Sequence, residues 1–292
     1  MSSPSGGWLV VKNLQYAEEA SYGVFPTNPA MSWIAPIGNA DVKADMQNIL
    51  VPQLGVEDLV YILKGAETYS MEMEYAMASS TFAKYAISSQ GGGTGTIDKS
   101  LSILFSAKMS GTENFVQLLG SRVGSLTISS RYGDLTKVKC TLTAKSIPVP
   151  STSTPIGSGS YATDPAVTPW SFYDGGVNPV TIGAANPDVR EIQVTFERNV
   201  EKLHVLGQSQ QKFMPPKQRR INGTFTIIWE DTGQYTNLTN ATSNTISWVL
   251  KSATSTLTLS GCYITRLESW KFDPTEVVYE KYAFTAKTVT IT

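Results

Sequence analysis

Leu257-Thr-Leu-Ser-Gly-Cys-Tyr-Ile-Thr-Arg-Leu-Glu-Ser-Trp270 and Val277-Val-Tyr-Glu-Lys-Tyr-Ala-Phe-Thr-Ala-Lys-Thr-Val-Thr-Ile291 lie on either side of a break at Asp273-Pro274. Apolar and polar residues alternate through both runs, the period of a strand with one face buried. Proline presets φ and aspartate bonds its own backbone, so the break reads as a turn. The same unit occurs earlier. Gly120-Ser-Arg-Val-Gly-Ser-Leu-Thr-Ile-Ser-Ser-Arg-Tyr132 is followed by Gly133-Asp134 and then by Val138-Lys-Cys-Thr-Leu-Thr-Ala-Lys-Ser-Ile147. Gly120 answers Gly261, Val123 answers Ile264 and Leu126 answers Leu267. Leu142-Thr-Ala-Lys145 answers Phe284-Thr-Ala-Lys287, with one residue inserted between the anchors. The chain is expected to be one β module written twice.

Working outward, the 292 residues hold two ordinary domains. Residues 1–147 are expected to carry an irregular N-terminal arm and the first module. Residues 148–189, rich in Ser, Thr, Pro and Gly, read as a linker. Residues 190–292 are the second module. Trp33–Asp45, Leu59–Leu63, Leu101–Phe105, Glu191–Phe196 with a continuation over Lys202–Gly207, and Ile221–Trp229 read as strands. Tyr69–Met77 puts Met71, Met73 and Tyr75 on one face and Glu72 and Glu74 on the other. Thr81–Ile87 fits a short helix, Glu230–Gly233 a turn or a helix start, and Ile246–Leu250 a helix end or a strand.

The net charge of −1 argues against a large electrostatic commitment to nucleic acid or an anionic membrane. No N-terminal run has the form of a signal peptide, and no apolar stretch of about 18 residues would span a membrane. Chemistry is sparse. His204 is the only histidine, and Cys140 and Cys262 are the only cysteines. The cysteines occupy unlike positions in the two repeats, so a repeated staple is not expected and both read as small buried hydrophobes. No Cys-x-x-Cys pair, phosphate loop or nucleophile elbow is present. Glu72 and Glu74 fit a solvated strand face better than a glycosidase pair. Neither a catalytic residue, a cofactor nor a metal is expected.

Three segments stand out as contact surfaces instead. Gly91, Gly92, Gly93 and Gly95 make the most flexible stretch by composition. Trp170, Phe172 and Tyr173 are aromatics in the linker. Lys217, Arg219 and Arg220 form a basic bend whose expected partners are a neighbour's carboxylates. The glycine segment, the linker and the N-terminal arm have too little apolar surface to order themselves, so neighbouring subunits are expected to order them.

With Glu18-Glu-Ala-Ser-Tyr-Gly-Val-Phe-Pro26, Gly223-Thr-Phe-Thr-Ile-Ile-Trp-Glu-Asp-Thr-Gly-Gln-Tyr235 and Glu280-Lys-Tyr-Ala-Phe-Thr-Ala-Lys287 in this order, the chain resembles the major tail tube proteins of long-tailed viruses. The resemblance implies a mainly β fold: two tandem β-sandwich or half-barrel tail-tube modules, each with a short flanking helix. It implies a structural virion protein made in the host cytoplasm, whose rings stack into a hollow tube that conducts viral DNA without specific binding. Its expected partners are further copies of itself and the tail terminator, tape measure and tail tip proteins. Many tube proteins carry one module and close as rings of six, so two modules per chain imply a trimeric, pseudo-sixfold ring. Ser125, Thr127 and Ser129, with Thr256, Thr258 and Ser260, then suit a wall wet on one side, and a lumen poor in Lys and Arg lets a polyanion slide. Two other readings share the fold class: a tandem carbohydrate-binding or adhesin module using Trp170, Phe172 and Tyr173 as a stacking platform, and the inner tube of a contractile injection device.

Overall fold

A computed structural model describes residues 10–35, 37–52, 61–87, 99–109, 112–163, 168–206, 208–212, 214–215, 217–271 and 277–292. The strands of the first half are β1 (Val10–Glu18), β2 (Ser32–Trp33), β3 (Ile37–Met46), β4 (Ile49–Val51), β5 (Tyr61–Leu63), β6 (Glu67–Ala76), β7 (Leu101–Met109), β8 (Thr112–Arg131) and β9 (Lys137–Ala144). Those of the second are β10 (Val180–Ile182), β11 (Val189–Glu197), β12 (Arg220–Ile228), β13 (Ser243–Lys251), β14 (Ser255–Lys271), β15 (Tyr279–Ala286) and β16 (Thr288–Ile291). Two short helices, α1 (Lys84–Ile87) and α2 (Gly233–Thr239), follow β6 and β12.

Pairing follows one order twice. The first half runs β1-β7-β8-β9-β6-β3, and the second runs β10-β13-β14-β15-β12-β11. The match extends to register. Val123 pairs Leu142 and Ile264 pairs Phe284, each followed by a bulge, after which Leu126 meets Cys140 and Leu267 meets Tyr282. A second bulge between Leu267 and Ser269 has no counterpart in β8, and it absorbs the one residue inserted between the sequence anchors. In the paired outer strands, Ile37/Asn39 and Val189/Glu191 carry the same irregularity.

Alternation explains which face each strand buries. In β6, Met71, Met73 and Tyr75 are buried while Ser70, Glu72 and Glu74 face outward. At β8, Leu126 and Ile128 are fully buried between the half-exposed Ser125, Thr127 and Ser129. Each such apolar side chain contributes about 1.5–3 kcal/mol through burial. One apolar cluster joins both halves, from Tyr75, Leu126 and Leu142 to Phe196, Phe225 and Phe284.

Some sequence expectations change. Trp33–Asp45 is not one strand: β2 and β3 are separate. β11 ends at Glu197 and does not continue over Lys202–Leu206, because Asn199 turns the chain with φ 45°; Gly207 lies outside the described residues. His204 consequently sits exposed outside any strand. Ile246–Leu250 is strand, inside β13. The segment expected as a linker contains β10 and is threaded along the first half. Ser151 bonds Phe115, Ser160 bonds Pro29 and Met31, and Trp170 bonds Met77 and Thr136 through the backbone.

Candidate assembly interface

The two halves meet along a strand joint. β11 lies antiparallel against the C-terminal half of β8, with Gln193 opposite Ser129, Val194 opposite Ile128, Thr195 opposite Thr127 and Phe196 opposite Leu126. The inward residues of this joint, Val194, Ile128, Phe196 and Leu126, are all fully buried. On the polar side the Thr127 and Thr195 hydroxyls lie 3.0 Å apart in a hydrogen bond. The result is an unbroken sheet in the order β3-β6-β9-β8-β11-β12-β15-β14.

Both ends of that sheet are open. Among the described residues β3 pairs only β6, and β14 beyond Tyr263 pairs only β15. Exposure follows: Ala40–Asp41, Lys43–Met46, Thr265–Arg266 and Glu268–Lys271 are exposed, Trp270 at 38%. Unpaired N–H and C=O groups on an edge are a template for another strand. The β4–β5 hairpin adds a second surface, with Leu50, Tyr61 and Ile62 each more than half exposed.

The contact residues expected from sequence scatter over the molecule. Gly91, Gly92, Gly93 and Gly95 lie outside the described residues. Trp170 is buried at 4% in the common core, where its indole anchors the segment between β9 and β10, so it is not a surface platform. Tyr173 is exposed, and with Phe172 and Tyr132 it forms a triad of edge-on rings 5.7–5.8 Å apart. The Arg190 guanidinium lies 5.5 Å from the Tyr132 ring centroid, and a cleft of about 460 Å³ opens beside them. The basic bend is divided among partners in its own chain. Lys217 pairs with Glu201 at 3.2 Å, Arg219 donates to the Ile87 carbonyl, and Arg220 opens β12 opposite Glu197.

The outward face of the long sheet carries both signs of charge. Lys137, Lys139, Lys281 and Arg220 alternate with Glu72, Glu74, Glu197 and Glu268 among Ser, Thr and Asn. On this face the basic residues are balanced by carboxylates. Among the described residues no group of three or more His, Cys, Asp or Glu is placed to hold a metal. Cys140 and Cys262 are buried free thiols, and burial pushes the Cys262 thiol up to about 11, far from a reactive thiolate.

A family model described as phage tail tube protein matches residues 11–289. The chain belongs to that family. It is a structural component of a phage tail, and its tube role accounts for a molecule whose polar chemistry is spread over strand edges and faces. No curated protein matches the chain.

The tail tube protein also uses a residue that sequence reasoning passed over. Glu19 is buried at 4% and accepts four hydrogen bonds, from Gly23 N, Ser100 Oγ, Ser102 Oγ and Gly120 N, at 2.6–2.7 Å. It fastens the segment after β1 to the point where β8 turns from one pairing set to the other. The adjacent acid, Glu18, accepts from the Tyr85 hydroxyl at 2.8 Å and so ties β1 to α1. The Glu18-Glu19-Ala-Ser-Tyr-Gly23 motif was legible; that its second acid is a buried latch was not.

Proposed function

We propose that the chain comprises two copies of one tube module, residues 1–147 and 190–292 about an inter-module segment, and that three chains close into a pseudo-sixfold ring. The rings stack into the hollow tube that conducts phage DNA. The observation that carries this reading is the β8–β11 joint: within one chain, one module already meets the next edge to edge, and the outer edges left over are the matching ones. A heterologous contact of this kind generates a ring wherever its rotation closes. The mixed-charge polar face suits a lumen, because balanced Lys and Glu side chains offer a polyanion no continuous basic track. Apolar side chains on the β4–β5 hairpin, and the glycines from Gly91 to Gly95, are assigned to contacts between rings. Tape measure, terminator and tip proteins are the remaining partners implied by such a tube.

Native mass spectrometry with negative-stain imaging tests this directly. The expected species is a ring of three times the 31.7 kDa chain mass, together with stacked tubes. Six chains per ring would overturn the stoichiometry. Absence of any ring would overturn the assembly reading and return attention to the Tyr132–Phe172–Tyr173 triad as a sugar-stacking platform.

A further inference from the structure

The internal joint dictates, residue by residue, how two chains should meet. Matching β6 to β12 and β9 to β15 by their common pairings sets β3 against β11, so that Asp41 stands where Gln193 stands and Asp45 where Glu197 stands. The same pairings set β14 against β8, placing Arg266 at the position of Ser125, Leu267 at Leu126 and, past the extra bulge, Trp270 at Ile128 and Lys271 at Ser129. We propose that β3 of one chain pairs antiparallel with Arg266–Lys271 of the next, in the register that β11 holds against β8 within each chain. This rests on the ring reading above and adds to it the partner strand and the register.

Three independent features agree with that register. Charges oppose: Asp41 falls across from Lys271, and Asp45 falls across from Arg266, which in the single chain holds only its neighbour Glu268, at 2.7 Å, as a described ion-pair partner. Apolar side chains coincide on the other face: Val42 meets Trp270 and Ala44 meets Leu267, positions whose counterparts Val194, Ile128, Phe196 and Leu126 are fully buried. Alternatives are penalised. Slipping by two residues one way puts Lys43 against Lys271, and the other way puts Lys43 against Arg266; like charges directly opposite are destabilising. Slipping by one residue turns Val42 and Ala44 to the wet face. Lys43 itself bonds Asp41 and Glu72 on its own sheet, at 3.2 and 3.3 Å, and in the proposed register it faces the neutral Ser269.

Cross-linking reads the register. Lys43→Cys combined with Ser269→Cys places thiols on opposed residues, whereas Lys43→Cys with Lys271→Cys is the two-residue slip, about 7 Å away along the strand and out of reach of a disulfide. The native Cys140 and Cys262 are buried and stay silent. On oxidation of rings seen by microscopy, the first pair should give at least tenfold more linked dimer and trimer on a non-reducing gel than the second. Equal linking by the slipped pair, or none by either pair within visible rings, overturns the pairing while the ring stands. Absence of rings from the unsubstituted protein overturns both. As a check that needs no thiols, Asp45→Arg and Arg266→Asp should each reduce ring yield at least fivefold with the circular dichroism of the fold retained. The combined exchange should restore assembly, and failure of that rescue also counts against the pairing.

Discussion

Gly120 and Gly261 have the same φ of +64° and sit where β8 and β14 pass from one set of neighbours to another. A left-handed residue at the bend costs glycine nothing and any other residue strain. The surroundings differ in a way that predicts unequal costs. A Cβ on Gly120 would lie 2.7 Å from Lys145 Cβ and 2.9 Å from the Tyr22 ring, both poorly able to move. On Gly261 it would meet the Lys287 side chain at 2.9–3.1 Å, which can swing aside. Gly120→Ala is therefore expected to lower stability by about 2–3 kcal/mol and Gly261→Ala by about 1 kcal/mol, read from urea midpoints at unchanged slope. Glu19 is the other residue on which this bend depends. Glu19→Ala leaves the Gly120 and Gly23 amides and two hydroxyls without their acceptor, and should cost at least about 2 kcal/mol. A loss within 0.5 kcal/mol would show that water replaces the carboxylate.

At the scale of single strands, two buried acids pull stability in opposite directions with pH. In β6, Glu67 is held down to about 2, first by Lys64 and then by the Tyr69 hydroxyl, which donates at 2.7 Å. A depressed acid stabilises the fold above the ordinary carboxylate value of 4.5 and loses that contribution as pH falls toward 2. In β15, burial pushes the Glu280 carboxyl up, only partly offset by the Tyr282 hydroxyl bonded to it at 2.9 Å, and its second oxygen has no partner among the described residues. A raised acid contributes stability that is complete below 4.5 and lost as pH rises through the folded value. Glu280→Gln should thus raise the melting temperature at pH 7 and have little effect at pH 4. Glu67→Gln should do the reverse, destabilising at pH 7 and converging with the parent only as pH falls to about 2. Melting temperatures across that range check both signs.

For the molecule as a whole, stability and the proposed assembly use the same kind of contact. The β8–β11 joint is buried within the chain, whereas β3 and Arg266–Lys271 present equivalent backbone to solvent. Hydrogen exchange should separate the two. Amides of Gln193–Phe196 are expected to be protected in single chains and rings alike, whereas the alternate amides of Asp41–Asp45 and Arg266–Lys271 that point away from β6 and β15 should exchange quickly in single chains and slow at least tenfold in rings. Equal protection of β3 in both forms would place the ring contact elsewhere.

Periodicity alone located the β6, β8–β9, β11, β12 and β14–β15 strands, because a half-buried strand must alternate and these segments do so over many residues. The paired anchors Gly120/Gly261 and Lys145/Lys287 likewise marked two strands, β8 and β14, that make the same bend at φ 64°. Local sequence did not carry what depends on distant partners. Trp170 looked like surface because its neighbours are Pro, Ser and Thr, yet it is buried in the core and held there by backbone bonds to Met77 and Thr136 from other parts of the chain. Lys217 and Arg219 looked like an outward patch, yet Glu201 and the Ile87 carbonyl lie within reach of them. Above all, the edges that remain open are invisible in an alternating pattern: β3 and β11 both alternate, and only the fold decides that β11 finds β8 while β3 is left without a second neighbour among the described residues. Alternation is a property of one strand and its core, whereas an unpaired edge is a property of the whole sheet.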